Sequence, residues 1–234
     1  MKNLITPQQI AVVLTGDEEK RALKKISRFA GWVELRVDCF IKKFPEKDIY
    51  NWAGEIKNHV KSKIISTVRW HRESQNSDFI IPDNKRIALY ESIADYTDYF
   101  DVEIKSKIVP DVLSLAKKKG KNVILSYHDF KRFPSLKLLM KLKKKAQDSG
   151  ADMIKVAVKT ENEKELFQLC QFVLLAKKSL PVIVIPMASG VIERLTPLAF
   201  GSVFTYVALI EKTAPGQPVL SDLLQDLTNK NMRV

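Results

Sequence analysis

Three residues stand where they could carry covalent, acid and base chemistry together. Lys155 lies inside an apolar run, Ile154-Lys155-Val156-Ala157-Val158. An amine held in such a strand loses solvation, and that loss favours its neutral, nucleophilic form. A neutral amine can form an imine with a ketone, and the protonated imine withdraws electrons and acidifies the adjacent C–H. The competing reading of Lys155 is an internal salt bridge to Glu103 or Asp101. His128 closes the run Ser126-Tyr127-His128-Asp129-Phe130, and imidazole can both take and return a proton near neutrality. A carboxylate would orient it. Glu73, four residues beyond Arg69, is the candidate, with a purely structural histidine as the alternative.

These residues sit in a pattern of charged strand faces. Side chains two apart on a strand share a face. Over Trp32–Asp38, Glu34, Arg36 and Asp38 fall opposite Val33, Leu35 and Val37. In the same way Asp101, Glu103 and Lys105 share a face, as do Ser126 and His128, and as do Met153, Lys155 and Ala157. Buried charge is costly unless it is paired or in contact with ligand. Charged groups from so many strands therefore point to one polar site rather than to unrelated ion pairs.

The elements that must position them alternate strictly. Strands are expected at Ala11–Gly16, Trp32–Asp38, Lys63–Arg69, Tyr99–Ile104, Asn122–His128, Asp152–Val158, Pro181–Met187 and Val203–Leu209. Helices are expected at Asp17–Ala30, Glu46–His59, Asp83–Asp95, Pro110–Lys119, Ser135–Ser149, Glu161–Lys178, Leu195–Phe200 and Ser221–Asn229. Asp17, Asp83 and Ser135 stand as helix starts, and Gly120 and Gly150 as left-handed caps. Eight strand–helix units with a period of roughly 30 residues predict an α/β fold, a (β/α)₈ TIM barrel, with residues 1–234 as one catalytic domain. An open doubly wound sheet is the alternative, but no Gly-x-Gly-x-x-Gly occurs.

Composition narrows the function classes. The net charge of +12 could mean nucleic acid, a membrane surface or an anionic substrate. The lysines cluster late in helices, as in Lys117–Lys119, where they read as a solvated basic surface. No interleaved aromatic stripe or zinc-finger spacing supports nucleic-acid binding, and no apolar run is long enough for a membrane span. Cys39 and Cys170 are too sparse for a disulfide framework or a zinc site, which points to a reducing cytoplasm.

Taken together, several motifs resemble type I 3-dehydroquinate dehydratase. They are Glu34-Leu35-Arg36-Val37-Asp38, Arg69 with Glu73, Asp101-Val102-Glu103, Ser126-Tyr127-His128-Asp129-Phe130, and Ala151-Asp152-Met153-Ile154-Lys155. Gly190-Val191-Ile192-Glu193-Arg194-Leu195, Phe200-Gly201-Ser202 and Thr213-Ala214-Pro215-Gly216-Gln217 complete the set. Each is weak alone; in this order, from Val33 to Pro218, they are specific. The resemblance implies a Schiff-base dehydration of 3-dehydroquinate to 3-dehydroshikimate, with no metal and no cofactor, by a homodimer. It implies that Lys155 forms the imine, that His128 moves the protons and that Glu73 holds His128. It also implies that Arg194 binds the substrate carboxylate, that Glu34, Arg36 and Arg69 contact ring hydroxyls, and that Thr213 and Gln217 close over the substrate. Thr213 stands where a serine is common in the family, Val13 where some members place a serine, and Met187-Ala188-Ser189-Gly190 looks shortened.

Two other readings compete. A class I aldolase would use the same lysine chemistry but needs a phosphate cradle near strands seven and eight. There Arg194 and the Ala-Pro-Gly-Gln loop suit a carboxylate better. A basic binding protein on a barrel scaffold would leave the interior charges without a purpose.

Overall fold

The computed structural model describes residues 5–74, 78–187, 190–210, 212–213, 216–221 and 223. Eight parallel strands form one sheet: β1 Ile10–Leu14, β2 Trp32–Arg36, β3 Lys63–Thr67, β4 Tyr99–Glu103, β5 Asn122–Asp129, β6 Met153–Lys159, β7 Val182–Met187 and β8 Thr205–Ala208. Their order is β7-β6-β5-β4-β3-β2-β1-β8. The β7–β8 seam is drawn together where the Val203 N–H donates to the Val182 carbonyl at 2.9 Å and the Val184 N–H to Ser202 Oγ at 3.0 Å. The result is a nearly closed (β/α)₈ barrel, as the alternation of apolar strands and amphipathic helices requires.

Among the described residues eight helices surround it: α1 Lys20–Phe29, α2 Val37–Lys43, α3 Ile49–His59, α4 Asp83–Ser92, α5 Val109–Lys119, α6 Leu136–Asp148, α7 Glu163–Ala176 and α8 Val191–Phe200. Ser135 caps α6, its side chain accepting from the Leu138 N–H at 3.3 Å. Gly120 ends α5 in the left-handed conformation, φ 63°. The expected helix start at Asp17 is corrected. Helix α1 begins at Lys20 after Glu19, and Asp17 instead pairs with Lys43. The expected helix over Ser221–Asn229 lies almost wholly outside the described residues.

Helix α2 was not expected. The reading that extended β2 to Asp38 followed the alternation through Val37. The chain turns helical there because Phe40 can then stack on Trp52, ring centroids 4.4 Å apart. Asp38 in the first turn and Lys42 and Lys43 in the last complement the helix dipole. Two face assignments change with the strand ends. Asp38 leaves the strand, and Lys105, beyond the end of β4, is exposed, with its ammonium 4.5 Å from the Tyr127 ring.

Inside, the barrel has two layers of different chemistry. At the N-terminal end of the strands Trp32 meets Tyr99 edge-on at 5.2 Å and Phe204 at 4.7 Å, with Ile124, Met153 and Ile183 packed around them. This apolar plug closes the bottom, so the charged strand ends above it face only one opening.

Gly16, between β1 and α1, has φ 109°, and a Cβ there would lie 2.6 Å from Phe44 Cε2 and 2.8 Å from Phe40 Cδ2. Gly16→Ala should therefore cost about 1–3 kcal/mol. In urea unfolding the midpoint should fall with the slope unchanged.

Candidate active site

The C-terminal strand ends converge on an open cleft. Every site residue expected from sequence lines it: Lys155, His128, Glu73, Glu34, Arg36, Arg69, Arg194, Thr213 and Gln217. The register explains why. Ser126 pairs with Lys155 and with Glu103, so β4, β5 and β6 present their polar residues at one height.

Lys155 is buried, 4% exposed. Its Nζ donates to Asp101 Oδ2 at 2.9 Å and lies 3.5 Å from Glu34 Oε1. The internal salt bridge held open as an alternative is thus present, with Asp101 rather than Glu103, and it sits within the cleft. Its other face meets the Tyr206 ring, 4.1 Å from the centroid. Asp101 also accepts from Ser126 Oγ at 2.6 Å and from Arg69 Nη1 at 3.3 Å. Burial opposes its ionisation, but the Lys155 and Arg69 cations hold its carboxyl below the usual range.

His128 stands on β5 with Glu73 at its back. Glu73 comes from the short 3₁₀ turn His71–Glu73 that follows β3. Its Oε2 accepts the His128 backbone N–H at 2.8 Å and lies 3.1 Å from Nδ1. Burial, reinforced by the Arg69 and Lys155 charges, holds the imidazole pKa well below its ordinary value. The ring is therefore neutral at neutral pH. Arg69 Nη1 is 3.5 Å from the same Nδ1, but it bonds Glu103 at 2.7 Å. The Glu73 contact therefore sets the tautomer: Nδ1 carries the proton and Nε2 keeps its lone pair. Burial, with the nearby Glu103 charge, pushes Glu73 up to about 7.

Arg36 makes a two-pronged pair with Asp38, Nε–Oδ1 3.0 Å and Nη2–Oδ2 2.7 Å, so Asp38 joins the site from α2 rather than from the strand. Arg69 Nη1 bonds Glu103 and Ser126 Oγ, at 2.7 and 3.1 Å. Both guanidiniums are thus tied to protein carboxylates. Arg194, on α8, is 1% exposed, and burial pushes its pKa down to about 10. That is the situation of a cation set in a poorly solvated wall, where an anion would bind well. At the rim the Thr213 N–H and hydroxyl donate to Gln217 Oε1 at 2.8 and 3.1 Å. Residues 188 and 189, the centre of the loop read as shortened, lie outside the described residues.

Sequence reasoning missed two contributors. Arg86 on α4 is fully buried; it donates to Glu103 Oε2 at 2.5 Å, to the Val68 carbonyl at 2.9 and 3.1 Å and to Ser106 Oγ at 2.9 Å. Glu103 thus sits between Arg86 and Arg69 and also accepts the Trp70 N–H at 2.9 Å. The available signal was an arginine on the same helical stripe as Leu89, Tyr90 and Ile93. Tyr206 was missed because β8 carries no other polar inward residue to draw attention to it. Val13, on which no expectation was placed, lines the cleft.

The chain is similar to known proteins. The family model for type I 3-dehydroquinase matches residues 10–232. The 3-dehydroquinate dehydratase of Pyrococcus abyssi is 32% identical over 92% of this chain and 94% of its own length. That of Thermodesulfovibrio yellowstonii is 30% identical over 92% of each. The crystal structure of the type I 3-dehydroquinate dehydratase of Clostridium difficile, with covalently modified comenic acid, superposes with a TM-score of 0.80. It is 28% identical and covers 95% of this chain and 92% of that one.

The raised Glu73 has a measurable consequence. Between about pH 4.5, its ordinary value, and about 7, the folded protein keeps a proton that the unfolded chain has released. Native stability therefore falls as pH rises through that window. Glu73→Gln removes this titration and keeps an acceptor for Nδ1–H. Its stability relative to the native protein should rise by about 2–3 kcal/mol between pH 4.5 and 8 in urea unfolding. A flat difference would show that Glu73 ionises normally.

Proposed function

The chain belongs to the type I 3-dehydroquinase family, and on that premise we propose that Lys155, His128 and Glu73 carry its reaction through an imine. The reaction is the dehydration of 3-dehydroquinate to 3-dehydroshikimate, a carbon–oxygen lyase step of the shikimate pathway. One observation carries the residue assignment: a buried lysine nitrogen, a neutral imidazole and a buried arginine line the same cleft.

Lys155 Nζ, once relieved of a proton, adds to the C3 carbonyl, and water leaves as the C=N bond forms. The protonated imine draws electrons from C2–H. Nε2 of His128, free because Nδ1–H faces Glu73, takes that proton. The resulting electron pair forms the C1=C2 bond as the C1 hydroxyl departs with a proton returned by the imidazolium. Hydrolysis of the imine frees the product and Lys155. Glu73 stabilises the transient imidazolium, and such acid–base help is worth about 10²–10⁴-fold.

Binding roles follow the charges. Arg194 takes the substrate carboxylate. Glu34, Arg36 and Arg69 face the ring hydroxyls, the two arginines held in place by Asp38 and Glu103. Thr213 and Gln217 close the rim and exclude water. No metal or cofactor enters these steps.

We assign residues 1–234 to one catalytic domain, acting in the cytoplasm as a homodimer on a small-molecule substrate, without nucleic-acid or membrane partners. The extent of the family match supports the domain. The two free cysteines suit a reducing compartment. The family resemblance supports the dimer.

Lys155→Ala should fold and lose turnover by several orders of magnitude. Borohydride with 3-dehydroquinate should leave a reduced adduct on the Lys155 peptide of the native enzyme and none on the variant; robust turnover by a folded variant would refute the imine. Arg194→Ala should raise KM about 10–100-fold and weaken carboxylate inhibitors in parallel. Unchanged KM would move the carboxylate elsewhere.

A further inference from the structure

We propose that Tyr206 is a further substrate-contacting catalytic residue, whose hydroxyl donates a hydrogen bond to the oxygen on the carbon that Lys155 attacks. The proposal rests on the imine reading above and adds a group that reading does not use.

Tyr206 points into the barrel from β8 and lines the cleft. Its ring is held edge-on against Phe204, centroids 5.3 Å apart, and it covers one side of Lys155 Nζ at 4.1 Å. The hydroxyl is one ring radius and one C–O bond from the centroid that Nζ approaches. The proposal places an oxygen on a carbon bonded to Nζ within hydrogen-bonding reach of that hydroxyl. The hydroxyl is buried and has no hydrogen-bond partner among the described residues. A buried donor in that state is costly and calls for an explanation. Here the explanation is a partner that arrives with the substrate. Thr205 also has a buried, unpartnered hydroxyl, but it is the strand neighbour on the opposite face and does not line the cleft.

The phenol acts as a donor and not as a base. Burial, with the Glu34 and Asp101 charges nearby, pushes its pKa well above the ordinary value, so it keeps its proton throughout. Lys155 and Asp101 are already paired, and Arg69 is tied to Glu103. When Nζ adds to the carbonyl carbon, the C=O π pair moves onto oxygen, and the phenol O–H stabilises the charge that develops there. His128 takes one ammonium proton before the attack, gives it to that oxygen and takes another from the nitrogen, leaving the neutral carbinolamine beside an imidazolium. The imidazolium supplies the next, the C–O bond breaks to release water, and the nitrogen lone pair forms C=N. One ketone and one lysine ammonium become one protonated imine and one water.

Tyr206→Phe keeps the ring against Lys155 and removes only the hydroxyl. In rapid-quench experiments with 3-dehydroquinate and borohydride, adduct formation on Lys155 should slow by about 10–100-fold. The thermal midpoint should stay equal to native or rise, because a buried donor without a protein partner has been removed. Adduct formation within twofold of the native rate overturns the proposal. Slowing accompanied by a lower thermal midpoint also overturns it, since the hydroxyl would then serve packing. If the native enzyme gives no Lys155 adduct, the imine assignment itself fails and takes this proposal with it. A native adduct with an unaffected Tyr206→Phe removes Tyr206 alone.

Discussion

Asp101 accepts from the Lys155 ammonium through Oδ2 at 2.9 Å and from the Arg69 guanidinium through Oδ1 at 3.3 Å. Both cations are buried, and buried cations need carboxylate partners to offset their lost solvation. Desolvating one such ion costs several kcal/mol, more than a small domain can absorb repeatedly. The barrel meets the constraint by balance. Around the cleft the buried carboxyl groups Glu34, Asp38, Asp101, Glu103 and the raised Glu73 stand among the buried cations Arg36, Arg69, Arg86, Lys155 and Arg194. The chain's large positive charge is therefore a property of its surface and not of its site.

That balance depends on where the strands end. The aromatic and aliphatic plug beneath the site, built on Trp32, Tyr99 and Phe204, supplies the apolar burial that a barrel needs. It confines polar side chains to the C-terminal ends, where loops can reach them. Support also comes from outside the barrel. Arg86 reaches in from α4 to hold one oxygen of Glu103, while Arg69 and the Trp70 N–H hold the other. Trp70 immediately precedes the turn that carries Glu73, so a helix residue remote from the substrate helps fix the carboxylate behind His128.

The site stores some of its cost where the chemistry is. Glu73 is held near neutrality by burial although a more polar residue environment would stabilise it. Arg194 is likewise desolvated. Such preorganised charge favours a transition state that develops complementary charge beside it. A neutral imidazole with a defined tautomer follows from the same crowding. The Arg69 and Lys155 cations that disfavour its protonation are the ones that Asp101 keeps in place.

Much of this was legible in the sequence because period and residue type report local geometry directly. The alternation of strands and helices gave the barrel, and charged residues two apart on otherwise apolar strands, as at Glu34 and Arg36 or Asp101 and Glu103, pointed to an interior site. Lys155 and His128 stood out because each is the wrong polarity for its strand. What the sequence could not carry was partnership. Whether Lys155 pairs with Asp101 or Glu103 depends on the register between β4 and β6. Asp38 reaches Arg36 only because the chain turns into α2 after β2, a change that alternation hides. Arg86 and Tyr206 occupy positions whose sequence neighbours are ordinary. A helix stripe and a strand face acquire a function only when folding brings them against residues far along the chain, and contact between distant segments is what local pattern does not encode.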